Sequence, residues 1–156
     1  MKCTFFGYRT VPQEVEPRLR KAIVNLIEHH SADTFYVGNQ GGFDHMVQKV
    51  LKEIKEMYPY IVYYRVLAYM PGVRDVFDTT DYSDTIYPKG LENTPRKFAI
   101  SKRNRWLIEH CDTVIAYVKY TTGGAAQFKE LAEKKQKWII NIAIEREAHH
   151  GHHFQW

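Results

Sequence analysis

No apolar run in this chain approaches the ~20 residues that a bilayer-crossing helix needs. Cysteine is scarce too. Cys3 and Cys111 are the only two, each among apolar residues, which reads as buried reduced thiols and not as a disulfide framework. The net charge of +4, from 22 Lys and Arg against 18 Asp and Glu, suits an anionic ligand but is spread along the chain. With no basic tail or Lys/Arg block, charge disfavours nucleic acid as a partner without excluding it. The apolar patch near Met1 is shorter than a signal-peptide core and lacks a small-residue cleavage site, so a cytoplasmic location is expected.

Two nucleotide-binding fingerprints are also missing. Gly-x-Gly-x-x-Gly does not occur, nor does a Gly-Lys-Ser/Thr ending. These absences disfavour a hydride-transfer enzyme and an NTPase of the usual kind.

What is present is a length of 156 residues, with 44% hydrophobic and 26% charged residues, the balance of one globular domain. Short β-branched or aromatic runs alternate with longer amphipathic stretches, the sequence form of repeated βα units. Strands are predicted at residues 2–6, 34–37, 61–69, 113–118 and 138–143. The third, with several apolar residues in unbroken sequence, suits a strand covered on both faces. Leu19, Ala22, Ile23, Leu26 and Ile27 fall on one helical face, and the pattern recurs from Phe43 to Met57 before Pro59. Further helices are predicted at about 97–110 and after Gly124. The expected fold is a Rossmann-like α/β three-layer sandwich of five mainly parallel strands in the order 3-2-1-4-5.

Residues 71–95 break the periodicity, with Pro71, Gly72, Pro88, Gly90 and Pro95 among them. Such a stretch is either a binding loop or lid, or a short helix with a poor pattern. The tail 145–156, with His149, His150, His152 and His153, has no fixed scaffold; it reads as a solvated tail with no metal expected. Residues 1–144 are the expected domain.

Three glycine loops each follow a predicted strand and precede a helix: Gly7-Tyr8-Arg9, Gly38-Asn39-Gln40-Gly41-Gly42 and Thr121-Thr122-Gly123-Gly124. That position is the carboxyl edge of a parallel sheet, where reversal of strand order opens a crevice. Glycine lets backbone approach a phosphate, and the first turn of the next helix supplies N–H donors. Singly, each loop is explained as a tight turn; together they point to an anion. Asp44, in a helix first turn, is either a helix-start carboxylate or an acceptor for sugar hydroxyls. Arg103 and Asn104 lie inside the third helix.

These residues resemble a known superfamily. Val37-Gly38-Asn39-Gln40-Gly41-Gly42-Phe43-Asp44 resembles a loop of the DNA-processing protein A family, and Arg103 through Gly124 resembles the Lonely Guy (LOG) phosphoribohydrolases, both of the SLOG superfamily. The similarity spans about residues 2–144 outside 71–95 and looks closest to small bacterial and phage members made of this domain alone. The LOG pattern Arg-Lys-x-x-Met, Ala-Asp, Pro-Gly-Gly-x-Gly-Thr-x-x-Glu is matched at Arg103, Asn104, Leu107, Cys111 and Asp112. It continues at Thr122, Gly123, Gly124, Ala125, Ala126, Gln127 and Glu130. Asn104 replaces the Lys, Thr122 the Pro, Ala126 a Gly and Gln127 the Thr.

The resemblance implies a domain that binds or senses a nucleotide-derived, phosphate-bearing small molecule, with Gly7, Arg9, Gly38, Gly42, Asp44, Arg103, Asn104, Gly123 and Gly124 at the site. It implies no cofactor, and by analogy a homodimer. One alternative is a nucleoside 5′-monophosphate phosphoribohydrolase, with Arg103 gripping the anion and Glu130 assisting cleavage of the N-glycosidic bond. The changed phosphate-loop positions put that enzyme second. The other alternative is single-stranded DNA binding, which requires a basic and aromatic groove.

Overall fold

The computed structural model describes residues 1–69 and 84–143; residues 70–83, which include the first half of the irregular stretch, and residues 144–156, which include the His-rich tail, lie outside the described residues. The chain opens with β1 (Lys2–Phe6), a single 3-10 turn at Gln13–Val15 and α1 (Glu16–His30). Ser31 ends α1 in the left-handed region at φ 57°, and the Ala32 N–H returns to Leu26 O at 3.0 Å. Then follow β2 (Thr34–Val37), α2 (Gly41–Met57) and β3 (Val62–Val66). The second half carries β4 (Thr85–Ile86), α3 (Arg96–Glu109), β5 (Thr113–Ala116), α4 (Gly124–Lys134) and β6 (Trp138–Asn141).

These strands form one sheet in the order β4-β3-β2-β1-β5-β6, every neighbouring pair parallel. The expected order of five strands is contained in it. What the sequence did not announce is β4, because two residues carry no periodic signal. β4 pairs with Arg65 and Val66, so among the described residues the rest of β3 has no strand on that side. Val62 is exposed and Tyr63, Tyr64 and Arg65 are half-buried, a departure from the doubly covered strand expected there.

Strand side chains alternate between two covered faces. Cys3, Phe5, Phe35, Val37 and Ile115 join one core with the buried sides of α1 and α2. Tyr36, Val66, Val114 and Ala116 join the other with α3 and α4. Helix α3 is unusual in what it buries. Ala99, Arg103 and Leu107, spaced four apart on one face, are all buried, which places a guanidinium in a line otherwise apolar. Both cysteines are buried and free. Burial pushes the Cys3 thiol well above its ordinary value and the Cys111 thiol up to about 12.

Because β2 and β3 lie to one side of β1 while β5 and β6 lie to the other, strand order reverses between β1 and β5. The loops after these two strands therefore stand together at the carboxyl edge.

Candidate functional site

A cleft of about 470 Å³ opens there, between the loop after β1 and the facing parts of α3 and α4. Gly7, Arg9, Asp44, Arg103, Asn104 and Gly124 all line it, so the fold gathers six of the expected site residues from four separate segments. Gly38, Gly42, Gly123 and Glu130 are not among its lining residues. Glu130 is exposed on α4, whereas Gln127 and Leu131 of the same helix face the cleft.

The glycines divide by what surrounds them. A methyl on Gly7 would meet the Phe43 ring at 2.5 Å, and one on Gly42 would meet Arg9 O at 2.5 Å. The first two loops are thus packed on each other. Gly42 N–H donates to Arg9 O at 2.7 Å and Phe43 N–H to Tyr8 O at 3.2 Å, so carbonyls of the first loop occupy the amino end of α2. The third loop is different. A methyl on Gly123 or Gly124 would meet nothing within 4 Å. Gly123, at φ 96° and ψ 176°, starts α4 without a side-chain cap. Gln127 N–H reaches Gly123 O at 3.1 Å, and among the described residues the N–H groups of Gly124, Ala125 and Ala126 have no acceptor. That helix end is the open donor set of the cleft.

Arg103 and Asp44 form its back wall. Arg103 is 2% exposed; Nη1 donates to Val66 O at 3.0 Å and Nε to Asn104 Oδ1 at 2.9 Å. Among the described residues Nη2 has no hydrogen-bond partner. Burial pulls the Arg103 pKa down, opposed by the charge of Asp44. The Asp44 carboxylate accepts from Gln40 N–H at 2.9 Å, reaching back over the start of α2. Burial raises its pKa to about 6, against the lowering effects of Arg103 and that N–H. Asp44 therefore serves as the helix-start carboxylate foreseen as one of its two readings, and it lines the cleft as well. Arg9 and Arg105 are exposed at the rim, so three arginines border one cavity.

Several contributors carry no motif. The rings of Phe6 and Phe128 stack at 3.7 Å and form part of the lining. The Tyr8 hydroxyl accepts from the backbone N–H groups of Lys119 and Tyr120, at 2.5 and 2.9 Å, tying the loop after β1 to the loop after β5. Asn141 accepts from Val118 N–H at 3.2 Å and Ala143 N–H at 3.1 Å, and donates to Val118 O at 2.9 Å, fixing the other side of that loop. The signal available for Tyr8 was its place beside Arg9; nothing local singled out Asn141.

The molecule thus defines itself as a Rossmann-like α/β domain with an arginine-bordered cleft, polar and apolar in its lining, at the sheet's carboxyl edge. No family model matches the chain. No curated protein matches it either. Among solved structures it is similar to DNA processing protein A from Helicobacter pylori, described for its single-stranded DNA binding mode. That likeness has 17% identity and a TM-score of 0.65, over 95% of this chain and 66% of that one. It is similar also to DNA processing protein A from Streptococcus pneumoniae, at 17% identity and a TM-score of 0.68, over 94% of this chain and 51% of that one. The likeness is one of fold, and the chain spans between half and two thirds of those proteins' length.

This comparison corrects the expectation that nucleic acid is a disfavoured partner. That expectation rested on the lack of a basic tail or block, yet a fold of this kind is described binding single-stranded DNA in the Helicobacter protein. The physical reason is that folding concentrates charge that the sequence disperses: Arg9, Arg103 and Arg105 come from two distant segments to one cleft.

Proposed function

We propose that this domain binds single-stranded DNA, seating a backbone phosphate in the carboxyl-edge cleft. The observation that carries the reading is the convergence of Arg9, Arg103 and Arg105 with the uncapped start of α4 on one cavity. The N–H groups of Gly124, Ala125 and Ala126 are aligned donors at the positive end of a helix dipole, and the exposed Arg9 adds a charge at the rim. Arg103 offers Nη2 from a fixed position. Ser101 and Gln127, which also line the cleft, add hydrogen-bonding side chains. The similarity in fold to a protein described for single-stranded DNA binding supports the same reading. The phosphoribohydrolase alternative draws no support from the position of Glu130, which is exposed and outside the cleft lining.

Fluorescence anisotropy of a labelled oligothymidine tests this, with the matching duplex and free AMP as competitors. Single strand should bind more tightly than duplex, with a log–log salt slope of roughly −2 if about three phosphates are neutralised. Arg9→Ala should weaken binding about 10-fold to 100-fold, the loss of one charge-assisted contact. Absence of single-strand binding below millimolar concentration, or AMP binding that outcompetes the oligonucleotide, would overturn the reading.

A further inference from the structure

Beside the cleft, but outside its lining, the loop after β5 carries an aromatic ring with no core to fill. Tyr120 is 67% exposed. Among the described residues Tyr36 and Tyr117 are buried and most other tyrosines are half-buried, whereas Tyr120, like Tyr60, stands exposed. Its neighbour is Tyr8, whose ring centre lies 5.8 Å away at an interplanar angle of 39°. Tyr8 is itself braced by Tyr117, edge-on at 5.6 Å and 76°, and Tyr117 is buried. Three rings therefore run from the core to the surface, the last of them free on one side.

The chain of rings is also held by polar contacts. Tyr8 lines the cleft, and its hydroxyl accepts the backbone N–H groups of both Lys119 and Tyr120. Two accepted bonds use the lone pairs of a phenol oxygen, so the loop bearing Tyr120 is fixed relative to the wall of the phosphate cleft. A tyrosine so anchored loses little conformational freedom when a flat ligand covers it. Arg9 and Lys119, the chain neighbours of Tyr8 and Tyr120, are both exposed, and the Lys119 ammonium lies 5.7 Å from the centre of the Tyr117 ring.

We propose that Tyr120, held by Tyr8, is a stacking surface for a nucleobase of the strand whose phosphate occupies the cleft. The inference rests on the DNA-binding reading above and adds a base-contacting subsite to it. Stacking on a π-face is nearly indifferent to base identity, so the subsite supplies affinity without sequence preference. It makes the occupant a strand with accessible base faces, which a duplex does not present. Tyr120 acts on the base and not on the phosphate.

The test compares oligothymidine with an abasic strand of the same length, titrated against wild type, Tyr120→Ala, Tyr120→Phe, Tyr8→Phe and Arg9→Ala. Tyr120→Ala should weaken oligothymidine binding about 10-fold and leave the abasic strand bound as wild type binds it. Tyr120→Phe should retain oligothymidine binding, because the ring and not the hydroxyl stacks. Tyr8→Phe should give an intermediate loss, about 3-fold, by releasing the loop from its anchor. Arg9→Ala should weaken both strands. If Tyr120→Ala affects neither strand, or both equally, while Arg9→Ala weakens both, the stacking surface is refuted and the phosphate reading stands. If wild type binds neither strand, both fail together. Circular dichroism of each variant confirms that the exposed substitutions leave the fold intact.

Discussion

The Asp44 carboxylate and the Arg103 guanidinium face each other across the α-carbon of Gly38. A methyl group placed there would lie 2.6 Å from Asp44 Oδ2 and 2.8 Å from Arg103 Nη1. Asp44 comes from the start of α2 and Arg103 from the middle of α3, on opposite faces of the sheet, and Gly38 is the gap through which they interact. Each shifts the other's titration: Asp44 raises the pKa of Arg103, and Arg103 lowers that of Asp44. The gap is what gives a buried arginine a nearby counter-charge, without which its burial would be very costly.

Gly38→Ala should therefore destabilise the protein by about 1 to 3 kcal/mol, the cost typical of forcing a group into packed space. Gly124→Ala should be neutral or slightly stabilising, since the site is open and alanine restricts the unfolded chain. Gly123→Ala should cost about 1 to 3 kcal/mol, because its φ of 96° and ψ of 176° lie in a region that essentially only glycine adopts. Urea denaturation ranks the three. Equal effects at Gly38 and Gly124 would contradict the packing described.

Stability should also depend on pH through Asp44. Its folded pKa is raised from 3.8 to about 6, so the folded state holds the proton more tightly than the unfolded chain. The associated stabilisation is present in full below about pH 4 and is lost as pH rises to about 6, in total about 3 kcal/mol. Asp44→Asn keeps an oxygen acceptor for Gln40 N–H and has no charge to desolvate. Its stability relative to wild type should therefore climb between pH 4 and 6 and level off above. Parallel stability curves for the two proteins would rule out the raised pKa.

Neither thiol should react in the native protein. Cys3 and Cys111 are buried, and burial holds both as the unreactive protonated form. Titration with a chromogenic disulfide reagent should give no fast phase at neutral pH and two equivalents after denaturation. A fast native equivalent would show that one core face opens readily.

Asn141 should matter more than its lack of any motif suggests. Its amide makes three hydrogen bonds to the backbone of Val118 and Ala143. Asn141→Ala should cost about 1 to 3 kcal/mol by leaving those groups unpaired. Under the proposed function it should also weaken oligonucleotide binding by loosening the loop after β5. Unchanged stability, measured by thermal melts, would show that water replaces the amide without loss.

The fold was legible because its signals are local and repetitive. Leu19 to Ile27 and Phe43 to Ile54 form buried helix faces at the spacing that their sequence displays. The order of the five main strands then followed from handedness rules. β4 escaped because Thr85 and Ile86 pair with Arg65 and Val66 through a register that no two-residue pattern encodes.

For the site, the sequence by itself determined that glycine loops would follow β1, β2 and β5 and would share one edge of a parallel sheet. It also marked Arg9, Asp44, Arg103 and Asn104 as the polar groups near them. Only the tertiary structure decided what each loop does. Glycines look alike in sequence, but Gly7 and Gly42 are filled by Phe43 and Arg9, whereas Gly123 and Gly124 have open space around them. Arg103 lies in a helix among Lys102 and Arg105, and only packing distinguishes the buried guanidinium from its exposed neighbours. The same holds for charge: composition records how much there is, but local field depends on distance, and distances between remote segments exist only once the chain has folded.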